Sequence, residues 1–253
     1  MGPNSETIVL ITGANKGIGR STAIALARDH GYTVIIGSRD PSAGKKVASE
    51  LVSQGHKADS VQLDVLSDSS IAGAAKYVED KYGRLDVLIA NHGQFLDKWS
   101  PHIPDLGTRE LWTQSMAINV VGTAVLVEHF LPLLRKAKPA PKIIFLTTSM
   151  ASLANALDKS QMYYNLNGAS YITSKTAVNM LALQTLKRLD DVPGAKVNVA
   201  CPGLVNTDLV HKMLPGAKTP EQGADYIVKL ATDDALVRHK NGTFGSTEGA
   251  YPW

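Results

Sequence analysis

Cysteine is nearly absent from this chain of 253 residues, in which Cys201 is the only one. A single cysteine cannot close an internal disulfide, so we expect no disulfide framework and interpret Cys201 as a small core residue. The first seven residues lack the basic segment of a signal peptide, and the apolar run 8–11 is too short for the apolar region of one. We therefore expect a reducing, cytoplasmic location.

Long apolar runs and a strong net charge are the next features that we do not find. Stretches such as 85–90 and 142–146 are far shorter than the roughly 20 residues of a membrane-spanning helix. Lys and Arg together number 26 and Asp and Glu 23, and the basic residues are scattered along the chain. We therefore expect neither a membrane nor a nucleic acid as partner.

Repeats, low-complexity tracts and Pro- or Gly-rich linkers are missing too, so nothing divides the sequence into parts. A hydrophobic content of 44% is that of a globular protein with a sizeable core. We predict one domain, residues 1–253.

What the sequence does contain is an alternation of short, β-rich apolar runs with longer segments of helical period. This pattern is typical of βαβ units, and strands that are apolar on both sides are buried between two helical layers. We predict strands at 7–11, 32–36, 61–63, 87–90, 143–147 and 197–200. Pro41 and the sequence Thr219-Pro-Glu-Gln222 are typical helix starts. The sequence therefore predicts an α/β fold with a parallel sheet.

A glycine-rich turn follows the first predicted strand and opens the first predicted helix. Such a turn collects backbone N–H groups and the positive end of a helix at one point, where a pyrophosphate can bind. Glycine-rich turns also occur simply to pack a helix on a strand, but the strand before this one and the helix after it favour a dinucleotide site. The candidate cofactor residues here are Gly13, Asn15, Lys16, Gly17, Ile18 and Gly19.

The choice of dinucleotide is read at the end of the second predicted strand, where proteins that bind NAD usually hold an acidic residue. This chain has Ser38 and Arg39 there, and Asp40 comes one position too late. The guanidinium of Arg39 suits the 2′-phosphate of NADP, and Lys16 can supply a second positive charge. Alternatively, both are ordinary surface charges. We expect NADP(H) as the cofactor and no metal.

Tyr171 and Lys175 are four positions apart, which places them one above the other on one helix face. A neighbouring ammonium favours the phenolate, so we expect Lys175 to lower the pKa of Tyr171 toward working pH. The same spacing occurs at Tyr77 and Lys81, in a predicted amphipathic helix that we interpret as surface and partial core. Two long segments, 94–107 and 149–168, are predicted loops and candidate substrate-binding regions.

Taken in order, these motifs resemble the short-chain dehydrogenase/reductase family over nearly the whole chain, especially its carbonyl reductases. The resemblance implies a doubly wound parallel sheet of the Rossmann type, with about seven strands and helices on both faces. It also implies that Tyr171 protonates a carbonyl oxygen, that Lys175 holds the nicotinamide ribose, and that Asn119 anchors a water. Further cofactor contacts are implied for Asp64, Val65, Asn91, Gly93, Tyr171, Lys175, Pro202, Gly203, Val205 and Thr207.

The sequence departs from the family pattern at three places. The residue that binds the substrate carbonyl is usually serine; the register that we favour places Thr148 there, and Ser149 is the competing choice. Thr148 lies 23 positions before Tyr171, an interval longer than the family's, so the loop holds an insertion. In some relatives such an insertion covers a dimerisation face, so both a monomer and a homo-oligomer are open. His92 replaces a usual alanine, and we interpret it as a tolerated neighbour of the cofactor.

The expected function is NADPH-dependent reduction of a ketone or aldehyde on a small, apolar or polycyclic molecule. The alternative is a protein of the same fold without redox activity, such as an isomerase or a binding protein regulated by NADPH. An enzyme is favoured over a binding protein, because a binding protein has no need of the acid Tyr171 together with its charged neighbour Lys175. The other two catalytic positions are also occupied by suitable residues, Asn119 and Thr148. His211 is a weak candidate for substrate contact.

Overall fold

The computed structural model describes residues 6–98, 103, 105–210, 215–232 and 241–253; the candidate His211 lies outside them. Its strands are β1 (Ile8–Thr12), β2 (Thr33–Ser38), β3 (Ala58–Gln62), β4 (Val87–Ala90), β5 (Lys142–Leu146), β6 (Lys196–Ala200), β7 (Phe244–Ser246) and β8 (Gly249–Ala250). Its helices are α1 (Gly17–His30), α2 (Pro41–Ser53), α3 (Asp68–Tyr82), α4 (Thr108–Met116), α5 (Gly122–Leu134), α6 (Ala169–Lys187) and α7 (Pro220–Thr232). A π-helical turn, Ala117–Val121, joins α4 to α5.

The eight strands of the described residues form one sheet in the order β3-β2-β1-β4-β5-β6-β7-β8, and among these strands only the pair β7–β8 is antiparallel. Alternate residues of each central strand point to opposite faces, as in β1, where Leu10 faces one core cluster and Ile11 the other. Helices α3, α5 and α6 cover the first face, and α1, α2 and α7 cover the second. The predicted doubly wound α/β fold is confirmed, with eight strands where about seven were expected.

The strand order reverses between β1 and β4, and the carboxyl ends of both strands meet there. In open parallel sheets this switch point is where ligands bind, because the connections leave in opposite directions and open a crevice. The glycine-rich turn after β1 and the residues after β4 both lie at this edge. The fold therefore brings the two halves of the predicted site together.

Both predicted helix starts are confirmed. Pro41 is the first residue of α2, and the side chain of Asp40 accepts hydrogen bonds from the backbone N–H groups of Ser42 and Ala43. At α7, Thr219 and Gln222 form a reciprocal capping box: each side chain accepts from the other's backbone N–H, at 3.3 and 2.9 Å.

The continuous helical segment Thr108–Leu134 corrects the expectation that no apolar stretch is long enough to cross a membrane. It has 27 residues and is sufficiently apolar by length and composition alone, although half of its most apolar window is buried inside the protein. Leu126 and Phe130 are fully buried in the core cluster with the sheet. The central helix of an α/β core meets the same length and composition criteria.

Candidate active site

The glycine-rich turn leaves the start of α1 open to an anion. Lys16, the N-cap residue, makes no side-chain cap hydrogen bond, so the first N–H groups of the helix have no such partner. Gly17 has a φ of +55°, which residues with a side chain rarely adopt. A Cβ on Gly19 would lie 2.5 Å from Asn91 Nδ2, so only glycine allows this close packing. The turn therefore fits a dinucleotide pyrophosphate.

Asn91 holds the turn against the end of β4. Its Nδ2 donates hydrogen bonds to the carbonyl oxygens of Thr12 and Gly13, at 2.8 and 3.3 Å. Thr207, after β6, lies on the opposite side, where its Cγ2 would be 3.3 Å from a Cβ on Gly17. The predicted residues after β4 and β6 thus flank the glycine-rich turn.

The segment that follows β6 is fixed by a β-bridge to a later part of the chain. Val205 is buried and pairs with Lys218 in an isolated β-bridge, and Gly203 has a φ of +82°. The predicted nicotinamide contacts lie in this segment, which follows β6, the second strand from β4 in the sheet: Pro202, Gly203, Val205 and Thr207.

The end of β2 carries one exposed cation. Arg39 forms no ion pair with any residue that the structure describes. Lys16, the second expected cation, is ion-paired with Asp208 at 2.5 Å, and both side chains are largely exposed. Asp64 and Val65 follow β3, where the Asp64 carboxylate accepts from the backbone N–H of Leu66. Lys16 is thus ion-paired, whereas Arg39 has no such partner among the described residues.

Tyr171 lies in the first turn of α6 and Lys175 one turn later, and both are buried. Lys175 Nζ is 5.9 Å from the centre of the tyrosine ring and donates a hydrogen bond to the Leu146 carbonyl at 3.0 Å. Burial, with a contribution from Cys201, raises the pKa of Tyr171. Burial lowers the pKa of Lys175 to about 8. The expected lowering of the tyrosine pKa is therefore wrong for this structure, since burial is the largest influence on this pKa and raises it.

Asn119 lies in the π-helical turn, a rare element that often occurs at functional sites. Its Oδ1 accepts from the Gln94 N–H at 2.9 Å, and its Nδ2 donates to the Gln94 carbonyl and to Ser174 Oγ, at 3.0 and 2.9 Å. Gly93 lies directly above, since a Cβ there would be 2.9 Å from Lys175 Nζ and 3.3 Å from Asn119 Oδ1. Asn119 therefore fastens the segment after β4 to α6.

Three consecutive hydroxyl groups follow β5. Thr147 Oγ1 is buried and has no hydrogen-bond partner in the described part of the chain. Thr148 Oγ1 accepts from the Met150 N–H at 3.3 Å and so caps a short 3₁₀ turn. Ser149 is half-buried, and its backbone N–H donates to Cys201 Sγ at 3.1 Å. Of the two candidates, Thr148 thus has a local structural use for its hydroxyl.

His92 bridges the end of β1 and the start of α5. Thr123 Oγ1 donates its hydrogen to the Asn119 carbonyl at 2.7 Å, so its contact of 3.0 Å with His92 Nε2 requires a hydrogen on that nitrogen. Nδ1 then accepts from the Thr12 hydroxyl at 2.8 Å. Burial and the charge of Lys175 lower the pKa of His92 to about 3, so the ring is neutral. His92 is therefore part of the scaffold beneath Asn119, a role that the sequence did not predict.

Sequence reasoning also missed Phe95 and Asp97, which both touch Tyr171. They lie in the predicted loop 94–107, and the only signal for them was the absence of a capping side chain at the start of α6. In the described part of the chain, no three His, Cys, Asp or Glu side chains are grouped so that they could hold a metal.

Comparison with known proteins agrees with this geometry. Residues 7–218 match the family model described as short chain dehydrogenase. A short-chain dehydrogenase/reductase of Aspergillus fumigatus is 32% identical over 242 residues, which cover 91% of this chain and 90% of that protein. The (+)-neomenthol dehydrogenase of Arabidopsis thaliana is 28% identical over 284 residues, with 91% and 93% covered. A solved short chain dehydrogenase from Shigella flexneri, complexed with NADP, gives a TM-score of 0.79 at 26% identity, with 96% and 97% covered.

Proposed function

The chain belongs to the short-chain dehydrogenase family, and from that premise we propose that it reduces a ketone or aldehyde of a small, apolar or polycyclic molecule with NADPH. The observation that carries the proposal is the buried pair of Tyr171 and Lys175 on one face of α6, beside the switch point of the sheet. A reduced nicotinamide supplies the hydride when it is bound. The residues of the chain then have to orient the carbonyl and deliver a proton.

Tyr171 suits the role of proton donor. Because burial raises the pKa of its hydroxyl, the group keeps its proton at neutral pH and can pass it to an alkoxide, which is a far stronger base. The ammonium of Lys175 stabilises the phenolate that is left. The carbonyl-binding hydroxyl is that of Thr148 or of Ser149; Thr148 Oγ1 only accepts from the Met150 N–H, so its hydrogen stays free for a substrate carbonyl.

The substrate class rests on the loop that precedes α6. Residues 152–168 carry large apolar side chains with much exposed surface: Leu153, Leu157, Met162, Tyr164 and Leu166. Tyr163 of the same loop donates to the Ser149 carbonyl at 3.3 Å, so the loop reaches the proposed carbonyl site. The terpenoid named for the Arabidopsis relative supports a compact apolar ketone as substrate.

The proposal is tested by following NADPH oxidation at 340 nm with a panel of cyclic terpenoid ketones, aromatic aldehydes and quinones. We expect turnover by the wild type and a loss of at least about 100-fold in kcat for Tyr171→Phe, which removes the proton donor. Tyr77→Phe is the matched control, since it removes the hydroxyl of the other Tyr-x-x-x-Lys sequence. Binding of NADPH without turnover of any member of the panel would favour the non-redox alternative.

The preference for NADPH over NADH is a separate proposal. It is supported by the exposed guanidinium of Arg39, which has no ion-pair partner in the described part of the chain, and by the NADP bound to the Shigella neighbour. We expect Arg39→Asp to weaken NADPH binding by about 100-fold, the loss of a charge-assisted contact of roughly 3 kcal/mol. NADH binding should change little, because NADH lacks the 2′-phosphate. Fluorescence titrations with both dinucleotides measure this, and equal weakening of the two would refute the assignment.

A further inference from the structure

The helix that carries Tyr171 begins without a cap of its own. Its N-cap residue is Gly168, which has no side chain, so the N–H groups of the first turn need a partner from elsewhere. A side chain at Gly168 would crowd Phe95, because a Cβ there would lie 3.1 Å from Phe95 Cζ. The missing cap therefore has to come from another part of the chain.

Asp97 supplies it from the loop after β4. Its Oδ1 accepts from the Ser170 N–H at 2.9 Å, and its Oδ2 accepts from the Tyr171 N–H at 2.9 Å and from Ser170 Oγ at 2.8 Å. The Asp97 side chain is 3% exposed and has no ion-pair partner among the described residues. Its negative charge is balanced by these donors and by the positive end of α6. Both carboxylate oxygens are thus bound to the start of this helix.

A second hydrogen bond extends the same arrangement to α4. Ser170 has one hydroxyl hydrogen, which goes to the Asp97 carboxylate because a carboxylate can only accept. The contact of 2.9 Å between Ser115 Oγ and Ser170 Oγ is therefore donated by Ser115. Ser115 and Ser170 are both fully buried. The cap is held on two sides, by the loop and by α4.

Phe95, two residues before Asp97, holds the tyrosine ring. The rings of Phe95 and Tyr171 are stacked, with centroids 4.5 Å apart and planes 10° apart. One short segment thus fixes the backbone of Tyr171 through Asp97 and its ring through Phe95. These are the two parts of the residue that determine where its hydroxyl lies.

We propose that Asp97 is a positioning residue for the proton donor, acting through the backbone of Tyr171 with Phe95 holding the ring; this rests on the proposed reduction. Tyr171 is the third residue of its helix, in the turn that frays most readily when it lacks a cap. A shift of about 1 Å in a reacting group can cost about 100-fold in rate. The carboxylate therefore matters for turnover although it does not touch the substrate.

The test uses Asp97→Asn, which keeps the size of the side chain but replaces one acceptor oxygen with a donor. Ser170→Ala is a milder variant that removes one of the three bonds and keeps both backbone bonds. Asp105→Asn is the matched control, because Asp105 lies in the same predicted loop but is exposed and ion-paired with Lys98. For each, kcat and KM are measured with the best carbonyl of the panel, and amide hydrogen exchange is measured over residues 169–172.

We expect Asp97→Asn to lower kcat by about 10- to 100-fold while KM for NADPH changes less than about twofold. Exchange at the Ser170 and Tyr171 amides should be faster, and Asp105→Asn should change neither quantity. In a Tyr171→Phe background, Asp97→Asn should lower the residual kcat no further, because no hydroxyl is left to position. A further drop of the same size there would indicate a general structural role and overturn the proposal.

A kcat of Asp97→Asn within about twofold of wild type would also overturn it. If the wild type reduces no carbonyl of the panel, the proposed reduction fails. Amide hydrogen exchange then tests separately whether Asp97 caps α6. Unchanged exchange in Asp97→Asn then refutes the cap, and faster exchange confined to the start of α6 supports it.

Discussion

Lys175 is a buried ammonium that no carboxylate balances in the described part of the chain. It donates a hydrogen bond to the Leu146 carbonyl, and burial lowers its pKa to about 8 from an ordinary value of 10.5. The folded protein therefore binds fewer protons than the unfolded chain between these two pH values, so stability rises with pH across that window. Below pH 8 both states are charged, and the cost of burying the charge is fully present.

Replacing Lys175 with Met should therefore stabilise the protein at pH 7 while it abolishes reduction. The shift in pKa corresponds to about 3 kcal/mol, and the lost hydrogen bond offsets about 1 of these, which leaves a rise of about 4 to 8 °C in melting temperature. Thermal unfolding by circular dichroism measures this. Lys187→Met, at an exposed position of the same helix, is the control. A melting temperature at or below that of wild type would mean that other contacts already compensate the charge.

The sequence predicted the partners in this pair but not their pKa values. Spacing along one helix is local, so Tyr171 and Lys175 could be placed side by side from four positions alone. The degree of burial depends on the whole fold, and for this reason the direction of the tyrosine shift was wrong. Asp97 was missed, and the scaffold role of His92 was not predicted, for the same reason: Asp97 binds the start of α6 more than 70 positions away, and His92 binds Thr12, 80 positions away.

At the scale of elements, the Tyr-x-x-x-Lys spacing occurs on both α3 and α6 but serves a different role on each helix. On α3, Tyr77 and Lys81 both donate to the carboxylate of Asp59 in β3, and Tyr82 adds a third bond at 3.0 Å. Burial would raise the pKa of Asp59, but the hydrogen bonds from Lys81 and Tyr77 outweigh it and hold the pKa below its usual value. Tyr77 and Lys81 therefore have a structural role, because they bind α3 to the edge strand of the sheet.

Asp59→Asn should accordingly lower the free energy of unfolding by about 1 to 3 kcal/mol without changing kcat, because hydrogen bonds to a charged acceptor are lost far from the site. Urea unfolding and NADPH oxidation measure the two quantities. Asp80→Asn removes an exposed carboxylate of the same helix, paired with Lys76, and should cost about 0.5 kcal/mol or less. A loss of activity in Asp59→Asn would contradict the purely structural interpretation of this cluster.

Strands were easier to predict than the segments between them. The strand 87–90 was found as predicted and most others within one or two residues, but β3 begins three residues before the predicted 61–63. The edge position of β3 explains this, because its residues are only half-buried and lack the apolar signal of central strands. The π-helical turn with Asn119 had no sequence signal, since it is a local change of helical pitch inside one apolar segment.

At the scale of the whole molecule, the alternation of strands and helices was sufficient to predict the doubly wound sheet and the edge at which the site lies. Strands β7 and β8 have only three and two residues, which is too short for a recognisable strand pattern in the sequence, so neither was predicted. Domain number, oligomeric state and location in the cell stay predictions. The hydrogen bonds that join β1 to the residues after β4 at the switch point were not predictable. They depend on His92, at a position that is usually alanine in the family.

His92 makes the fold sensitive to acid. Its pKa of about 3 lies below the ordinary value of 6.5, so the folded protein binds fewer protons than the unfolded chain between these values, and stability is lost as the pH falls through this range. Between pH 7 and pH 5 this linkage amounts to about 2 kcal/mol. Protonation would place a hydrogen on Nδ1, which accepts from Thr12 in the neutral ring.

His92→Ala should be less stable than wild type at pH 7, by about 1 to 3 kcal/mol, because the links to Thr12 and Thr123 are lost. Its stability should nevertheless fall by about 2 kcal/mol less than that of the wild type between pH 7 and pH 5, so the two proteins converge in acid. Urea unfolding at both pH values measures this, with His30→Ala as the exposed control. Parallel losses in His92→Ala and wild type would assign the acid sensitivity to other groups and leave His92 as a packing residue at the junction of β1, β4 and α5.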